Sequence, residues 1–250
     1  MINLIYGDCL EKMKEIPDQS VDMILTDPPY GTTDCKWDVV IPFEPMWKEL
    51  KRVIKPGGAI CFFCAEIFTA QLVLSNKEMY RYTIIWEKSR AGRFAQAKLR
   101  FLNTHEDIAI FSDGKCSSNS ILKMRYFPQG LQPLMKMMPD RSFANGLRKN
   151  RKPLPDYFQE FTGYPKSVLK FSSVSKTSHP TQKPVALLEY LIKTYTLENE
   201  TVLDFTAGSF STGVAAVNLG RGFIGIEKDE HYYNIGVKRV REAIDAKIQK

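Results

Sequence analysis

The 250-residue chain has no apolar run long enough to cross a bilayer. Its longest, Ala59 to Ala65, falls far short of the ~20 residues a membrane helix needs. The opening Met1-Ile2-Asn3-Leu4 has neither the charged nor the apolar stretch of a secretory signal. There are only five cysteines, an odd number with no framework spacing, which points to a reducing compartment rather than a disulfide scaffold. Cys61-Phe62-Phe63-Cys64 has metal-like spacing but lies in an apolar strand with no second pair, so packing is expected. Histidines number three and are not joined by further ligands at zinc spacing, and no metal is expected. No Gly-x-x-x-x-Gly-Lys-Ser/Thr loop is present, which argues against an ATP-driven enzyme. Internal repeats and low-complexity tracts are also missing. What is there, 44% hydrophobic and 12% aromatic residues, describes an ordered cytoplasmic protein able to bury a core, with no membrane partner.

The net charge of +7 is unevenly placed. Residues 88 to 178 hold 17 basic and 6 acidic side chains, while the remainder holds 18 and 22. Lysines and arginines gathered in one stretch beside a slightly acidic remainder point to a polyanionic partner.

The first 87 residues alternate short apolar runs with amphipathic stretches. Val21 to Thr26 and Ala59 to Phe63 read as strands. Between them Phe43, Met46, Trp47, Leu50, Val53 and Ile54 follow helical spacing, and Pro56-Gly57-Gly58 is expected to stop that helix. Tyr80 to Trp86 and Glu106 to Phe111 read as further strands, and the alternation implies an α/β fold with a parallel sheet. From Ser112 to Ser178 the periodicity fades among six prolines, too long a stretch for a plain loop. After Pro184 a helix, the strand Thr201 to Asp204, a second helix, the strand Gly222 to Ile226 and a last helix from about Asp229 are expected.

Two places carry chemistry. Thr201 to Gly213 reads as a strand, a tight turn and a helix start, where Gly208 lets backbone approach a ligand. Glu227 follows about 20 residues on, where doubly wound folds grip ribose hydroxyls, so turn and acid favour a nucleoside-containing ligand. The second place is Asp27-Pro28-Pro29-Tyr30, directly after a strand, at the sheet edge where open α/β folds bind ligands. Two prolines fix φ and hold the Asp27 and Pro28 carbonyls as rigid acceptors. A carboxylate beside such carbonyls suits a substrate amine that donates two hydrogen bonds and loses a proton, and Tyr30 adds a flat face for a nucleobase.

Asp27-Pro28-Pro29-Tyr30 with the downstream turn resembles the amino-methyltransferases that act on exocyclic amines of DNA bases. The order is tetrapeptide first, basic insertion second, cofactor turn last, similar to the circularly permuted beta class of DNA adenine-N6 and cytosine-N4 methyltransferases. Tyr6 to Glu11, Ile84 to Lys88, Asn103-Thr104-His105-Glu106 and His179-Pro180-Thr181-Gln182-Lys183-Pro184 agree with it. The resemblance implies a Rossmann-like α/β methyltransferase sheet, with a catalytic half over 1–111, a basic target-recognition insertion over 112–178 and a cofactor half over 179–250. One departure stands in the cofactor turn, which the family commonly reads as Asp-Pro-Phe-x-Gly-Ser-Gly-Thr-Thr. Here Phe205 and Thr206 replace Pro-Phe, and Phe210 takes the place of the second glycine. That is awkward if the backbone needs φ > 0 there, unless Phe210 packs under the helix and Phe205 supplies the missing aromatic.

By resemblance the catalytic residues are Asp27, Pro28, Pro29 and Tyr30, acting on a flipped-out base of double-stranded DNA stacked on Tyr30. The cofactor is S-adenosylmethionine, held by Asp8, Cys9, Asp27, Lys183, Phe205, Ala207, Gly208, Ser209, Ser211, Thr212 and Glu227. Within that set Glu227 falls to the ribose hydroxyls, Asp8 to the adenine amino group and Lys183 to the methionine carboxylate. Arg141, Arg148, Arg151 and Lys152 are the expected DNA contacts. Asp-Pro-Pro-Tyr is more typical of the adenine-N6 branch, which makes adenine the expected target and cytosine-N4 the alternative. Protein-glutamine and RNA methyltransferases share a Pro-Pro-aromatic motif but usually neither the permuted order nor His-Pro-Thr-Gln-Lys-Pro. A non-catalytic DNA-binding protein on a decayed methyltransferase fold is the reading that Phe210 leaves open. Also open are a cognate restriction endonuclease as partner, a homodimer as the assembly, and the recognition sequence.

Overall fold

The computed structural model describes residues 1–32, 38–139, 156–174 and 182–249. The chain forms two compact units: Met1–Phe127 with Ser167–Lys250, and Pro128–Lys166. The smaller unit lies inside the 112–178 insertion, and the flanking residues of that stretch belong to the larger unit.

The strands of the larger unit are β1 (Ile2–Tyr6), β2 (Val21–Thr26), β3 (Ile54–Cys64), β4 (Tyr80–Gly92), β5 (Asn103–Phe111), then, after the smaller unit's β6 (Gln132–Met138) and β7 (Tyr157–Thr162), β8 (Val168–Phe171), β9 (Thr201–Asp204) and β10 (Gly222–Glu227). Its sheet runs β1-β10-β9-β2-β3-β5-β4-β8. The first five are parallel, whereas β5 runs antiparallel to both neighbours, so the sheet is mixed rather than purely parallel. Strands β9 and β10 thus sit between β1 and β2, about 180 residues or more further along the chain than β1 and β2 themselves. Among its described residues the smaller unit holds the antiparallel pair β6–β7, which pairs Gln132 with Thr162 and Met138 with Tyr157 and slips register by one residue between Pro133 and Lys136.

Every residue of β2 is buried, as a strand covered on both faces requires. Met23 and Leu25 pack with Leu187, Leu191, Ala215 and Val240, which belong to α4 (Val185–Tyr195), α5 (Ser211–Asn218) and α6 (Glu230–Ile248). Ile24 packs on the other face with Cys9, Trp47, Leu50, Phe68 and Leu72 of α1 (Cys9–Lys12), α2 (Phe43–Val53) and α3 (Glu66–Ser75). Buried Asp22 ties the start of this strand together: it accepts Lys55 Nζ at 2.8 Å, the Thr201 amide at 2.9 Å and Arg125 at 3.0 Å.

Pro56-Gly57-Gly58 does not stop α2, which has already ended at Val53. It lies within β3, where Val21 pairs with Ile54 but Met23 pairs with Ala59. The extra residues form a bulge, and a Cβ on Gly58 would stand 2.9 Å from the Asp22 carbonyl.

Candidate active site

The turn after β9 is fixed by carboxylates. Asp204 accepts the Thr206 amide at 3.2 Å and the Thr212 hydroxyl at 2.7 Å, while burial raises its pKa to about 7. Glu227, ending β10, accepts the Gly208 amide at 2.7 Å and the Asp229 amide at 2.8 Å, and burial pushes its pKa up as well. Gly208 adopts φ +52°, and the Ala207 amide reaches the Ile226 carbonyl at 2.9 Å. From α6, Arg239 donates to the Ser209 hydroxyl at 2.8 Å and the Ser211 hydroxyl at 3.1 Å. Strand end and helix start are therefore held at a set separation.

Phe210 does take the left-handed conformation, at φ +56°, as the N-cap of α5. Its ring is fully buried and packs edge-on against Phe223 and Tyr233. Two glycines make the room: a Cβ would stand 2.4 Å from the ring at Gly225 and 1.8 Å at Gly236. Phe205 is buried too, edge-on to Phe62.

The tetrapeptide begins where β2 ends, beside this turn, with the Thr26 and Thr206 hydroxyls 2.7 Å apart. Tyr30 donates its hydroxyl to Asp27 Oδ1 at 2.6 Å, and its ring stacks on Phe68 with centroids 5.0 Å apart. Lys183 holds Asp27 Oδ2 at 2.5 Å and stands 3.3 Å from Glu106 Oε2, its ammonium 5.0 Å from the Phe63 ring centre. Lys88 pairs with the other Glu106 oxygen. Burial raises the Asp27 pKa, Lys183 opposes that rise and the Glu106 charge adds to it. Burial lowers Lys183, but the two carboxylates outweigh it and hold the ammonium charged. Glu106 ends below its ordinary value because Lys183 and Lys88 outweigh burial. Tyr30 is raised well above its ordinary value, chiefly by burial and next by the Asp27 charge, so it is a donor.

Turn and tetrapeptide share a cavity of about 270 Å³. Every expected cofactor residue lines it: Asp8, Cys9, Asp27, Lys183, Phe205, Ala207, Gly208, Ser209, Ser211, Thr212 and Glu227. Asp8 also caps α1 by accepting the Leu10 amide at 2.9 Å, and burial pushes the Cys9 thiol up to about 12. Of the tetrapeptide, Asp27 and Pro29 line the cavity, whereas Pro28 and Tyr30 do not. Lys183 is directed to Asp27 and Glu106, a pairing that the sequence reading did not make. Sequence reasoning also missed the apolar wall of Val39, Val40 and Ile41 and the polar Asp229 and Tyr232. Asp229 had one visible signal, its place just ahead of the last helix, where an N-cap acid belongs. Arg141, Arg148, Arg151, Lys152 and His179 to Thr181 lie outside the described residues. Buried Cys61 and Cys64 sit in β3 with thiols that burial pushes up, Cys64 to about 12. No helix among the described residues is long and apolar enough to cross a membrane.

Residues 21–238 match the DNA methylase family of N6 and N4 enzymes. The chain is 30% identical to the DNA adenine methyltransferase YhdJ of Escherichia coli (strain K12), over 95% of this chain and 82% of that protein. With the type II methyltransferase M.HinfI of Haemophilus influenzae it shares 29% identity over 96% of this chain and 68% of the relative. Among solved structures, M1.HpyAVI in complex with S-adenosylmethionine superposes with a TM-score of 0.63 at 26% identity, covering 96% of this chain and 99% of the other. The cytosine-N4-specific PvuII DNA methyltransferase shares the fold at 16% identity, with a TM-score of 0.64 over 98% of this chain and 91% of the other.

Proposed function

The chain belongs to the DNA methylase family of N6-adenine and N4-cytosine methyltransferases, and from that premise we propose that it methylates adenine N6 in DNA. It is a DNA methyltransferase, and the family's methyl donor is S-adenosylmethionine. The donor set of the cavity fits that molecule. Asp8 and Glu227 offer carboxylate acceptors to hydroxyl and amino groups, and Val39, Ile41 and Ile226 offer apolar wall to a purine. Bound there, S-adenosylmethionine supplies an electrophilic methyl carbon on a sulfonium.

The observation that carries the reading is Asp27, at the carboxyl end of β2 and on the wall of the cavity that Gly208 and Glu227 also line. Its carboxylate accepts a hydrogen of the substrate amine and localises the nitrogen lone pair. It then takes the proton that the nitrogen sheds after gaining a methyl group. Lys183 and Tyr30 hold that carboxylate in place meanwhile. Adenine rather than cytosine is supported by aspartate at the head of the tetrapeptide and by the likeness to an enzyme named as an adenine methyltransferase. Phe210 is absent from the cavity wall and accommodated by two glycines, which favours an intact cofactor site over a decayed one. The chain order of tetrapeptide, insertion and cofactor turn supports a circularly permuted member with DNA contacts from the insertion. The type II likeness supports a role beside a restriction endonuclease.

The test is to express the protein in a host lacking DNA methylation and sequence its genome with modified-base detection. N6-methyladenine at one recurrent site is expected. N4-methylcytosine alone moves the target base, and unmodified DNA overturns the reading.

A further inference from the structure

The connection between β4 and β5, residues 93–102, leaves the sheet at the edge where the tetrapeptide sits. Asp107 of β5 pairs with Cys64 at the carboxyl end of β3, and Phe62 of β3 pairs with Thr26. Only three residue steps of strand, about 10 Å, separate Asn103 from Glu106, which shares Lys183 with Asp27. The connection is ordered. It begins with a turn of 3-10 helix, Phe94–Gln96, and the Leu99 and Arg100 amides both reach the Gln96 carbonyl. Arg93 and Arg100 converge on one oxygen of Glu66, at 2.7 and 2.8 Å. Glu66 opens α3, the helix whose Phe68 stacks on Tyr30.

This braced segment nevertheless holds Phe94, Leu99 and Phe101 in water, at 79%, 85% and 97% exposure. Large apolar side chains displayed together by an ordered backbone mark a contact surface. Residues 88–102 contain five cations, Lys88, Arg90, Arg93, Lys98 and Arg100, and no acid. Among the described residues, Arg90 and Lys98 have no ion-pair partner. Apolar tips among unopposed cations complement a partner with flat apolar faces inside an anionic shell, which describes a nucleic-acid duplex.

We propose that the 93–102 connection is a wedge that enters the DNA base stack beside the target base, with Phe101 as the inserted ring and Arg90 and Lys98 on flanking phosphates. The inference rests on the DNA methyltransferase reading and adds a second contact to it. A base that leaves the duplex takes its stacking with it, and an inserted aromatic ring restores part of that loss. The wedge thus lowers the cost of presenting the base to Asp27.

The experiment compares wild type with Phe101→Ala, a change at a side chain almost wholly in water. One arm measures methyl transfer to a duplex containing the site found by sequencing, with the target base opposite its normal partner or opposite an abasic position. The other arm measures, by fluorescence anisotropy, binding to 30-mer duplexes with and without one abasic position. The variant is expected to lose about tenfold on the intact duplex, the weight of one base–aromatic stack, and less than about twofold opposite the abasic position. It is also expected to lose the wild-type preference for the abasic 30-mer. Equal loss on both substrates, or none, with that preference unchanged, overturns the wedge and leaves the methyltransferase reading intact. A wild type that methylates no DNA but prefers the abasic duplex through Phe101 overturns the reading and keeps the wedge.

Discussion

Gly236 of α6 exists to clear the ring of Phe210: a Cβ there would stand 1.8 Å from Phe210 Cδ2. Phe210 belongs to the cofactor turn and Gly236 to the last helix, so a departure in one element is answered in another. The glycine in mid-helix costs about 1 kcal/mol relative to alanine, and the buried ring more than offsets it. Gly236→Ala is accordingly expected to destabilise the protein by about 3 kcal/mol, despite the better helix propensity of alanine. Phe210→Gly alone opens a cavity and also destabilises. The double variant should be more stable than the sum of the two losses allows, as denaturant unfolding of all four proteins would reveal; strict additivity would refute the pairing.

Asp27→Ala should abolish methyl transfer. Removing one partner of a buried ion pair ordinarily costs about 3–5 kcal/mol, but Lys183 keeps Glu106 as a second carboxylate. The variant should therefore fold, and calorimetry should find S-adenosylmethionine binding within about threefold of wild type, about 0.7 kcal/mol. Unchanged turnover would remove Asp27 from the chemistry.

Glu106→Gln leaves Lys183 with one carboxylate instead of two. The Glu106 charge is among the groups that raise the Asp27 pKa, so its removal moves Asp27 downward. The acid limb of kcat against pH should shift to lower pH, while the maximum falls about tenfold, near 1.4 kcal/mol, because Lys183 then neutralises Asp27 more completely. An acid limb that stays in place would show that the Glu106 charge does not reach Asp27.

Asp204 gives a prediction for stability. Its folded carboxyl titrates near pH 7, above its ordinary value of 3.8, because it is buried. The folded state keeps a proton there that the unfolded chain has released. That stabilisation is complete below pH about 4 and is lost as the pH rises through 7. In Asp204→Asn the group no longer titrates. Between pH 5 and pH 8 the wild-type Tm should fall relative to the variant by on the order of 5 °C. Parallel melting curves across that range would contradict the assignment.

Legibility in the sequence followed distance along the chain. Val21 to Thr26 reads as a strand because six residues carry their own pattern, and the tetrapeptide borrows its position from them. The Thr201-to-Glu227 unit reads equally well, since its strand, turn, helix and acid fall within 27 residues. Lys183 and Asp27 stand 156 residues apart, and nothing local says that one faces the other. The space around Phe210 was hidden for the same reason, because Gly225 and Gly236 become its neighbours only when β10 and α6 pack. Pro56-Gly57-Gly58 misled differently: proline and glycine mark a break in regular backbone, and a strand bulge satisfies that mark as well as a helix end does. The direction of β5 depends on what the 93–102 connection does, and its composition does not say.

The sheet order sets a clock. Met1 and Gly7 bond to Phe223 and Glu227, and β9 sits against β2, so the donor pocket is closed by strands synthesised long after β1 and β2. At ~5–20 residues per second on the ribosome, β1 waits roughly 10 to 45 s for β10 to emerge. Through that interval the tetrapeptide exists without the turn that faces it, and β2 lacks a neighbour along one side. A nascent chain therefore cannot retain the methyl donor until β10 has emerged, and chemistry on DNA waits for that strand.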